Sequence, residues 1–262
     1  MMRTLWTAAT GMTAQQTNID VISNNLANVN NAGFKKSRAL FEDLIYQETR
    51  RAGAITATGL VHPTGIEVGL GTKVNAVEKV FSQGNFQYTG NTLDVAIEGD
   101  GFFQIQLPNG DIGYTRAGAF KIDSNGNLTT PNGYLVEPAI AIPENATEVS
   151  FAEDGTVSVF LPGEEAPVEL GVIELARFIN PSGLHAIGKN LYTATGSSGD
   201  PQVGQPGDDG FGPLAQNILE MSNINLVEEM VNMITGQRAY EINSKAVQTG
   251  DEMLQIVNNL KR

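Results

Sequence analysis

The sequence predicts an α+β fold: long helices at the two chain ends pair as a coiled-coil-like domain, and a central antiparallel β domain lies between them in the chain. Three observations predict it. Apolar residues recur every seven positions at both ends. The middle consists of short apolar or alternating runs separated by Asn-Gly and Asp-Gly turns. The 262 residues include 29 glycines, which indicates many tight turns.

The N-terminal helix is expected from about Arg3 to about Asn28. Its two neighbouring heptad positions hold Leu5, Met12, Ile19 and Leu26, and Ala8, Gln15, Ile22 and Val29. The opposite face is rich in Thr, Gln and Asn, with Arg3 as its one basic residue. A helix that lies on a membrane surface would carry more Lys and Arg there, so packing against protein is favoured.

The C-terminal helix is expected from about Asn225 to about Asn259. Its heptad stripe and the adjacent stripe contain Leu226, Met233, Tyr240, Val247 and Leu254, and Ala239, Ala246, Met253 and Leu260. This apolar face is wide enough to touch more than one neighbour. Gly236 and Gly250 share another face with Asn243, and each glycine costs about 1 kcal/mol relative to alanine in a helix interior. Two interpretations of these glycines stay open. Either they arose by neutral sequence drift that the helix tolerates, or they mark a face that another helix approaches closely.

Between the helices, strand-like runs follow one another from about Lys73 to about Thr195. They are LDVAIEG, FFQIQL, AFKID, YLVEPAIAI, VSVFL and VELGVIELARF, and turn signals stand at residues 108–110, 124–127, 131–133 and 153–155. We therefore divide the chain into a helical domain (1–30 plus 225–262), a connector (31–72) and a β-rich domain (73–224) with a return loop at 195–213. Within the connector, a short helix is expected at Arg38–Gln47.

Composition excludes several classes of function. The net charge is −13, and residues 52–222 contain 20 acidic and six basic residues, so nucleic-acid binding is disfavoured. The absence of cysteine excludes disulfides and thiolate metal sites. No apolar run approaches the ~20 residues that cross a bilayer. The N-terminus also lacks the apolar segment of a secretory signal peptide, so none is expected.

No catalytic, cofactor or metal site is expected. The two histidines, His62 and His185, lie in unrelated segments, with no spacing typical of a metal site or a nucleophile–base pair. GDGFF at 99–103 is interpreted as a turn that leads into a strand. DSNGN at 123–127 lacks the distant acid of a calcium loop and is interpreted as a hairpin turn.

The stretch SNNLANVNNAGFKKSR, residues 23–38, concentrates asparagine at the end of the first helix. Asparagine competes for backbone hydrogen bonds and ends helices, and its amide makes polar contacts without burying charge. Exposed apolar faces indicate association surfaces. The predicted subunit interface comprises Leu5, Met12, Ile19, Ile22, Asn24, Asn25, Leu26, Asn28, Gly33, Phe34, Leu226, Met230, Met233, Gln237, Tyr240, Asn243, Val247 and Leu254.

Three segments resemble signatures of the bacterial flagellar rod and hook protein family. They are SNNLANVNNAGFKKSR, GDGFFQIQLPNGDIGYTRAGAF and NLVEEMVNMITGQRAYEINSKAVQTGDEML. The chain length and the segment YQETRRAGAITATGLVHP at 46–63 are similar to those of the distal rod type. In that type the segment is associated with a straight, stiff shaft. Here the stiffening residues would be Tyr46, Gly53, Ile55, Leu60 and Pro63.

The resemblance implies a structural subunit without enzymatic activity, cofactor, nucleic-acid partner or direct membrane insertion. Subunits of this type are exported unfolded through the flagellar type III export apparatus, without a cleaved signal peptide. They assemble in the periplasm into a hollow, straight helical shaft. The shaft stands on proximal rod subunits, carries hook subunits, turns inside the peptidoglycan and outer-membrane rings, and transmits motor torque. The alternatives are a hook-type or proximal rod subunit, or a secreted enzyme on a β scaffold.

Overall fold

The computed structural model describes residues 2–53, 63–163, 166–208 and 210–260. Helix α1 spans Met2–Ala27 and helix α2 spans Leu226–Leu260. Both agree with the predicted bounds to within one or two residues. The strands between them pair antiparallel throughout the described residues, so the predicted α+β class with a central antiparallel region is confirmed.

Twenty strands lie in the described part of the chain. They are β1 Ser37–Asp43, β2 Tyr46–Arg50, β3 Ile66–Gly69, β4 Thr72–Lys79, β5 Phe86–Tyr88, β6 Val95–Ile97, β7 Phe102–Gln106, β8 Ile112–Thr115, β9 Lys121–Ile122, β10 Leu128–Thr129, β11 Leu135–Glu137, β12 Glu148–Phe151, β13 Thr156–Phe160, β14 Val168–Val172, β15 Leu175–Arg177, β16 His185–Gly188, β17 Leu191–Thr193, β18 Gln202–Gly204, β19 Leu214–Gln216 and β20 Ile218–Glu220. A single 3-10 turn at Pro181–Gly183 lies before β16.

The chain forms two compact units. Unit 1 comprises Met1–Leu26, Ser37–Glu78 and Leu226–Arg262, and unit 2 comprises Ala27–Lys36 and Lys79–Asn225. Most of the predicted connector therefore clusters with the two helices. Unit 1 contains two small two-stranded sheets, β1–β4 and β2–β3.

The short helix expected at Arg38–Gln47 is wrong, because these residues form β1 and the start of β2. β1 pairs with β4, a partner about thirty residues away in the sequence. Two ion pairs join these strands: Arg38 Nη2 lies 2.5 Å from Glu78 Oε1, and Lys73 Nζ lies 2.6 Å from Glu42 Oε1. Such cross-strand pairs favour the sheet over a local helix.

Unit 2 is built around a nine-stranded antiparallel sheet. The strands run in the order β16-β17-β8-β7-β11-β10-β9, while β15 pairs with both β7 and β18. A three-stranded sheet β12-β13-β14 and the pairs β19-β6 and β20-β5 complete the unit. Each of the four predicted turns joins consecutive strands, and its glycine has a φ between +80° and +86° (Gly110, Gly126, Gly133 and Gly155). The predicted hairpin chemistry is confirmed.

Two cores lie on opposite faces of β7. Successive strand residues point to opposite sides, so Phe102 and Phe103 enter different clusters. Phe103 packs edge-to-face on Phe120 at 5.0 Å between ring centroids, in a large aliphatic core. Phe102 joins an aromatic cluster with Phe178 and Tyr192. The GDGFF turn leads into this strand, as predicted, with Gly99 and Gly101 at positive φ.

Candidate assembly surface

The two helices of unit 1 contact each other, antiparallel, along a line of small residues. A Cβ added to Gly236 would lie 3.3 Å from Ile19 Cγ1, and one added to Gly250 would lie 2.7 Å from Leu5 Cδ2. Between these contacts, a Cβ on Gly11 would lie 2.9 Å from Asn243 Nδ2. Large side chains on one helix therefore face glycines on the other.

These contacts settle the open interpretation of the two helical glycines. Both are buried against side chains of α1, so of the two interpretations the structure supports close helix approach. The loss of about 1 kcal/mol of helix propensity at each is offset by the van der Waals contact that the missing side chains permit. The seven-residue spacing from Gly236 through Asn243 to Gly250 fixes which face of α2 meets α1.

The predicted heptad stripe of α2 is only partly covered within the chain. Leu226 and Tyr240 are 46% and 40% exposed, while Met233, Val247 and Leu254 are half-buried. α1 covers the glycine line, which lies beside this stripe. The stripe therefore keeps apolar surface available.

A second apolar region of α2 consists of side chains that stay exposed in the single chain. It comprises two groups of exposed side chains: Met230, Val231 and Ile234, and Met253, Ile256 and Val257. Their exposed fractions run from 45% to 58%. Residues spaced by three and four positions on a helix form one surface, so each group is a continuous patch. Arg238 and Glu241, which form an ion pair with a 2.9 Å Nη1–Oε2 distance, lie between the two groups. We call these two groups the outer face of α2.

The polar surface of α1 satisfies its own hydroxyl groups. Each of these side chains donates to a backbone carbonyl three or four residues earlier at 2.7–3.2 Å: Thr7, Thr10, Thr13, Thr17 and Ser23. A hydroxyl that donates to a carbonyl of its own helix keeps that hydrogen bond when another molecule covers it and excludes water. The polar side of α1 is therefore compatible with burial in an assembly.

The asparagine-rich stretch ends α1 at Ala27, as predicted, and one of its members is built into unit 1. Asn25 is buried and makes a reciprocal pair with Ser37: its Nδ2 donates to Ser37 O and its Oδ1 accepts from Ser37 N, both at 2.8 Å. Asn24 is exposed and Asn28 half-buried. In unit 2, Asn190 Nδ2 donates to Asn31 Oδ1 at 3.1 Å.

Gly33 and Phe34 have defined positions inside unit 2. Gly33 has φ +70°, and a Cβ there would lie 2.5 Å from Ala117 N, so only glycine fits. Phe34 is buried, and Lys79 Nζ lies 4.5 Å from its ring centroid. Both residues thus have an internal packing role, and their contact with another subunit stays a prediction.

The other predicted residues lie mainly on the two helices. Leu5, Met12, Ile19 and Leu26 are half-buried, Ile22 is buried and Gln237 is exposed. In the proposed stiffening segment, Tyr46, Gly53 and Pro63 are exposed, whereas Ile55 and Leu60 lie outside the described residues. His185 is exposed on β16, and His62 lies outside the described residues.

Sequence reasoning missed a buried charge cluster in unit 2. Glu220 lies between two cations: its Oε1 is 2.6 Å from Lys35 Nζ and its Oε2 is 3.0 Å from Arg116 Nε. All three side chains are at most 5% exposed. Arg116 also donates to the carbonyls of Gly99 and Gly101, which are the two glycines of the turn before β7.

Burial lowers the pKa of both Lys35 and Arg116, and the nearby Glu220 carboxylate partly opposes that effect. Lys35 and Arg116 each fall within a signature segment quoted above. Since 185 residues separate Lys35 from Glu220, no local pattern could pair them.

Membrane-spanning helices and metal-binding clusters are both absent from the described residues. Neither helix is long and apolar enough to span a membrane. Among those same residues, no group of three or more His, Cys, Asp or Glu side chains could hold a metal ion.

Comparison with known proteins identifies the family of the chain. Three family descriptions match: flagella basal body rod protein over residues 5–35, flagellar hook protein FlgE/F/G D1 domain over 96–159, and flagellar basal body rod FlgEFG protein C-terminal over 215–260. The flagellar basal-body rod protein FlgG of Borreliella burgdorferi is 57% identical over 264 residues, covering all of both chains. The chain belongs to the FlgG family of flagellar basal-body rod proteins.

Other FlgG relatives extend this similarity. The protein of Caulobacter vibrioides is 47% identical, over 99% of this chain and all of its own. That of Bacillus subtilis is 42% identical over the whole of both chains. The flagellar hook protein FlgE of Helicobacter mustelae is 49% identical, but over only 52% of this chain and 30% of its own. FlgG membership therefore confirms the predicted rod resemblance, and the hook-type alternative is not favoured.

Proposed function

We propose that this protein is a structural subunit of the flagellar distal rod, where copies of the chain assemble into a hollow, straight helical shaft. The observation that carries the proposal is the outer face of α2. It stays exposed although α1 covers the glycine side. Membership of a rod protein family makes a second copy of the chain the favoured occupant of this face.

The two sides of α2 differ, and this difference supports an open assembly. One side carries glycines that fit α1, and the other carries Ile234 and Ile256. When a surface contacts a different surface on an identical neighbour, the contact builds a ring if the rotation closes and a helical filament if it does not. A shaft of this kind would transmit motor torque to the hook. The rod role requires no catalysis, and the family is not an enzyme family.

The proposed partners follow from the position of a distal rod. Proximal rod subunits would lie below and hook subunits above, joined through the same helical ends. The shaft would rotate inside the peptidoglycan and outer-membrane rings. We place it in the periplasmic part of the basal body, reached unfolded through the flagellar type III export apparatus without a cleaved signal peptide. The absence of cysteine is compatible with that route.

Residues 46–63 are proposed to stiffen the shaft by docking on a neighbouring subunit. In support, the β2–β3 pair is a two-stranded sheet with exposed apolar side chains, Tyr46, Ile66 and Val68. An isolated two-stranded hairpin is marginally stable in water, so a neighbour would stabilise it. Deleting residues 46–63 should give bent or overlong shafts in any assembly that forms. Straight shafts of wild-type length would refute this role.

Complementation tests the rod assignment. In a motile bacterium that lacks its own FlgG, expression of this chain should restore basal bodies with a full-length rod, seen by electron microscopy of isolated basal bodies. A double variant, Ile234→Ser with Val231→Ser, should be exported but incorporated poorly. Thr235→Ser, on the same turn, is the matched control and should behave as wild type. Basal bodies that lack a rod despite export of the wild-type chain would contradict the assignment.

A further inference from the structure

The polypeptide passes between the two compact units four times, after Leu26, Lys36, Glu78 and Asn225. Within unit 2, residues next to three of these passages bind one another. Lys36 N donates to Asn223 Oδ1 at 2.8 Å, and Val80 N donates to Lys36 O at 2.9 Å. Asn223 Nδ2 donates to Val80 O at 2.8 Å, which closes a ring of three hydrogen bonds. We call Lys36, Val80 and Asn223 the crossing clamp.

The buried charge cluster holds the crossing clamp in place. Lys35 precedes Lys36, and its Nζ is fixed by Glu220 Oε1 at 2.6 Å and by Ser82 O at 2.8 Å. Asn223 Nδ2 also donates to Ser82 O at 3.0 Å. Gly84 N donates to Glu220 Oε1 at 2.8 Å. Hydrogen bonds that involve a charged group are stronger than those between neutral groups. The buried charge cluster therefore restricts the movement of the strands on either side of the clamp.

Unit 1 contains a similar hydrogen-bonded arrangement at Ser37, the residue that follows Lys36 in the chain. Asn25 binds both the N–H and the C=O of Ser37, which joins residues next to the first and second passages. Asn25 and Asn223 therefore each bind neighbouring backbone groups twice: the amide oxygen accepts from an N–H, and the amide nitrogen donates to a carbonyl. The charge-free amide suits both positions because it supplies one acceptor and up to two donors from one side chain.

We propose that the crossing clamp shares mechanical load among the chain passages, with Asn223 as its central positioning residue. This inference rests on the proposed function, since a rod subunit that transmits torque carries force along its backbone. Without the clamp, a force applied at one passage is borne by that strand and its own anchors. With the clamp, the strands at Lys36, Val80 and Asn223 are bound together and the force is divided among them. Each member takes part in two of the three bonds, and Asn223 alone does so through its side chain, so its amide decides whether the ring closes.

The test compares Asn223→Ala with Asn180→Ala in a host that lacks its own FlgG. Asn180 is the matched control because its Nδ2 also donates to a backbone carbonyl, that of Ser197 at 3.0 Å, far in sequence from any passage. Rotation of tethered cells is recorded at low load and in medium of raised viscosity. We expect both variants to rotate as wild type at low load. At high load, Asn223→Ala should lose rotation and shed broken rods, while Asn180→Ala should continue.

The outcomes separate this inference from the rod assignment. If the wild-type chain fails to restore rods, the rod assignment is wrong, whatever the variants show. If the wild type restores rotation and Asn223→Ala performs like Asn180→Ala at high load, load sharing is overturned. If Asn223→Ala has no cooperative unfolding transition, Asn223→Asp is read in its place, since it keeps the acceptor for Lys36 N–H and loses both donors. Failure of both to fold would also overturn the proposal, because the amide would then be required for the fold itself.

Discussion

Leu5 on α1 packs directly on Gly250 of α2, so closely that an added Cβ would lie 2.7 Å from Leu5 Cδ2. The pair places a large side chain where its partner has none. Ile19 and Gly236 repeat the arrangement at 3.3 Å. Because the contact depends on size, exchanging the sizes of the two residues tests it.

Gly250→Leu should prevent assembly, because a second leucine has no room beside Leu5. The double variant Leu5→Ala with Gly250→Leu should recover much of the lost assembly, since it restores the summed volume of the pair. Thr249→Leu, one position away and exposed, is the control and should assemble. Sedimentation of assembled shafts measures all three. Wild-type yield from Gly250→Leu alone, or no recovery in the double variant, would show that this contact does not set the helix pair.

Before assembly, both helices should exchange their amide hydrogens quickly. Helix propensity alone stabilises them little, and α2 keeps much of its apolar surface exposed. In contrast, the amides of Gly33 and Lys36 should be protected, because they donate to Glu220 O and Asn223 Oδ1 within unit 2. Hydrogen exchange by mass spectrometry on dilute chain gives the answer. Strong protection of α1 and α2 in a proven monomer would argue against folding coupled to assembly.

Truncation of the α2 stripe should harm assembly more than the stability of unit 2. Met233→Ala and Leu254→Ala would each cost about 2–5 kcal/mol at a fully buried site. Both residues are half-buried in the single chain, so most of that effect should appear only when a neighbour covers them. Rod formation and motility should fail while unit 2 melts normally. Thr249→Ala is the matched exposed control, and normal motility in both stripe variants would exclude the stripe from the interface.

The buried charge cluster of unit 2 should contribute more to stability than the exposed Arg38–Glu78 ion pair of unit 1. Glu220→Gln leaves Lys35 and Arg116 as buried cations without a counter-charge, which should cost about 3–5 kcal/mol. Glu78→Gln removes the partner of the exposed Arg38 and should cost no more than about 1 kcal/mol. Urea unfolding of both variants supplies the comparison. Equal losses for the two would mean that the cluster contributes no more than a surface ion pair.

Alkaline pH should weaken the aromatic core through Tyr192. Burial raises its pKa from 10.0 to about 12, so the folded state holds the phenolic proton more tightly than the unfolded state. The associated stability is complete below pH 10 and is lost as pH rises through 12, up to about 3 kcal/mol. The free energy of unfolding of Tyr192→Phe should therefore fall less between pH 9 and 12. If the free energy of unfolding depended on pH in the same way in the wild type and in Tyr192→Phe, the raised pKa of Tyr192 would be contradicted.

The parts of the fold that sequence predicted were those encoded locally. Heptad spacing located α1 and α2 because one helical face recurs every two turns. Asn-Gly and Asp-Gly located the hairpins because Gly110 and its counterparts require positive φ. The helix expected at Arg38–Gln47 failed because β4, a distant strand, supplies the pairing that decides its conformation.

The candidate site was predictable in outline and not in its pairings. Gly236 and Gly250 were recognisable as one face, but only the structure identifies Ile19 and Leu5 as their partners. Lys35 and Glu220 meet across most of the chain, and a charge beside a phenylalanine gives no sign of burial. Long-range partners of this kind depend on how the sheets close, which no local pattern specifies.

The central claim is that copies of this chain assemble into a straight helical shaft without any other protein. Electron microscopy of the purified wild-type protein, concentrated until it assembles, tests this claim most directly. We predict straight hollow tubes whose walls contain paired terminal helices. Curved tubes would indicate a hook-type subunit, and a preparation that stays monomeric at every concentration would contradict self-assembly through the outer face of α2.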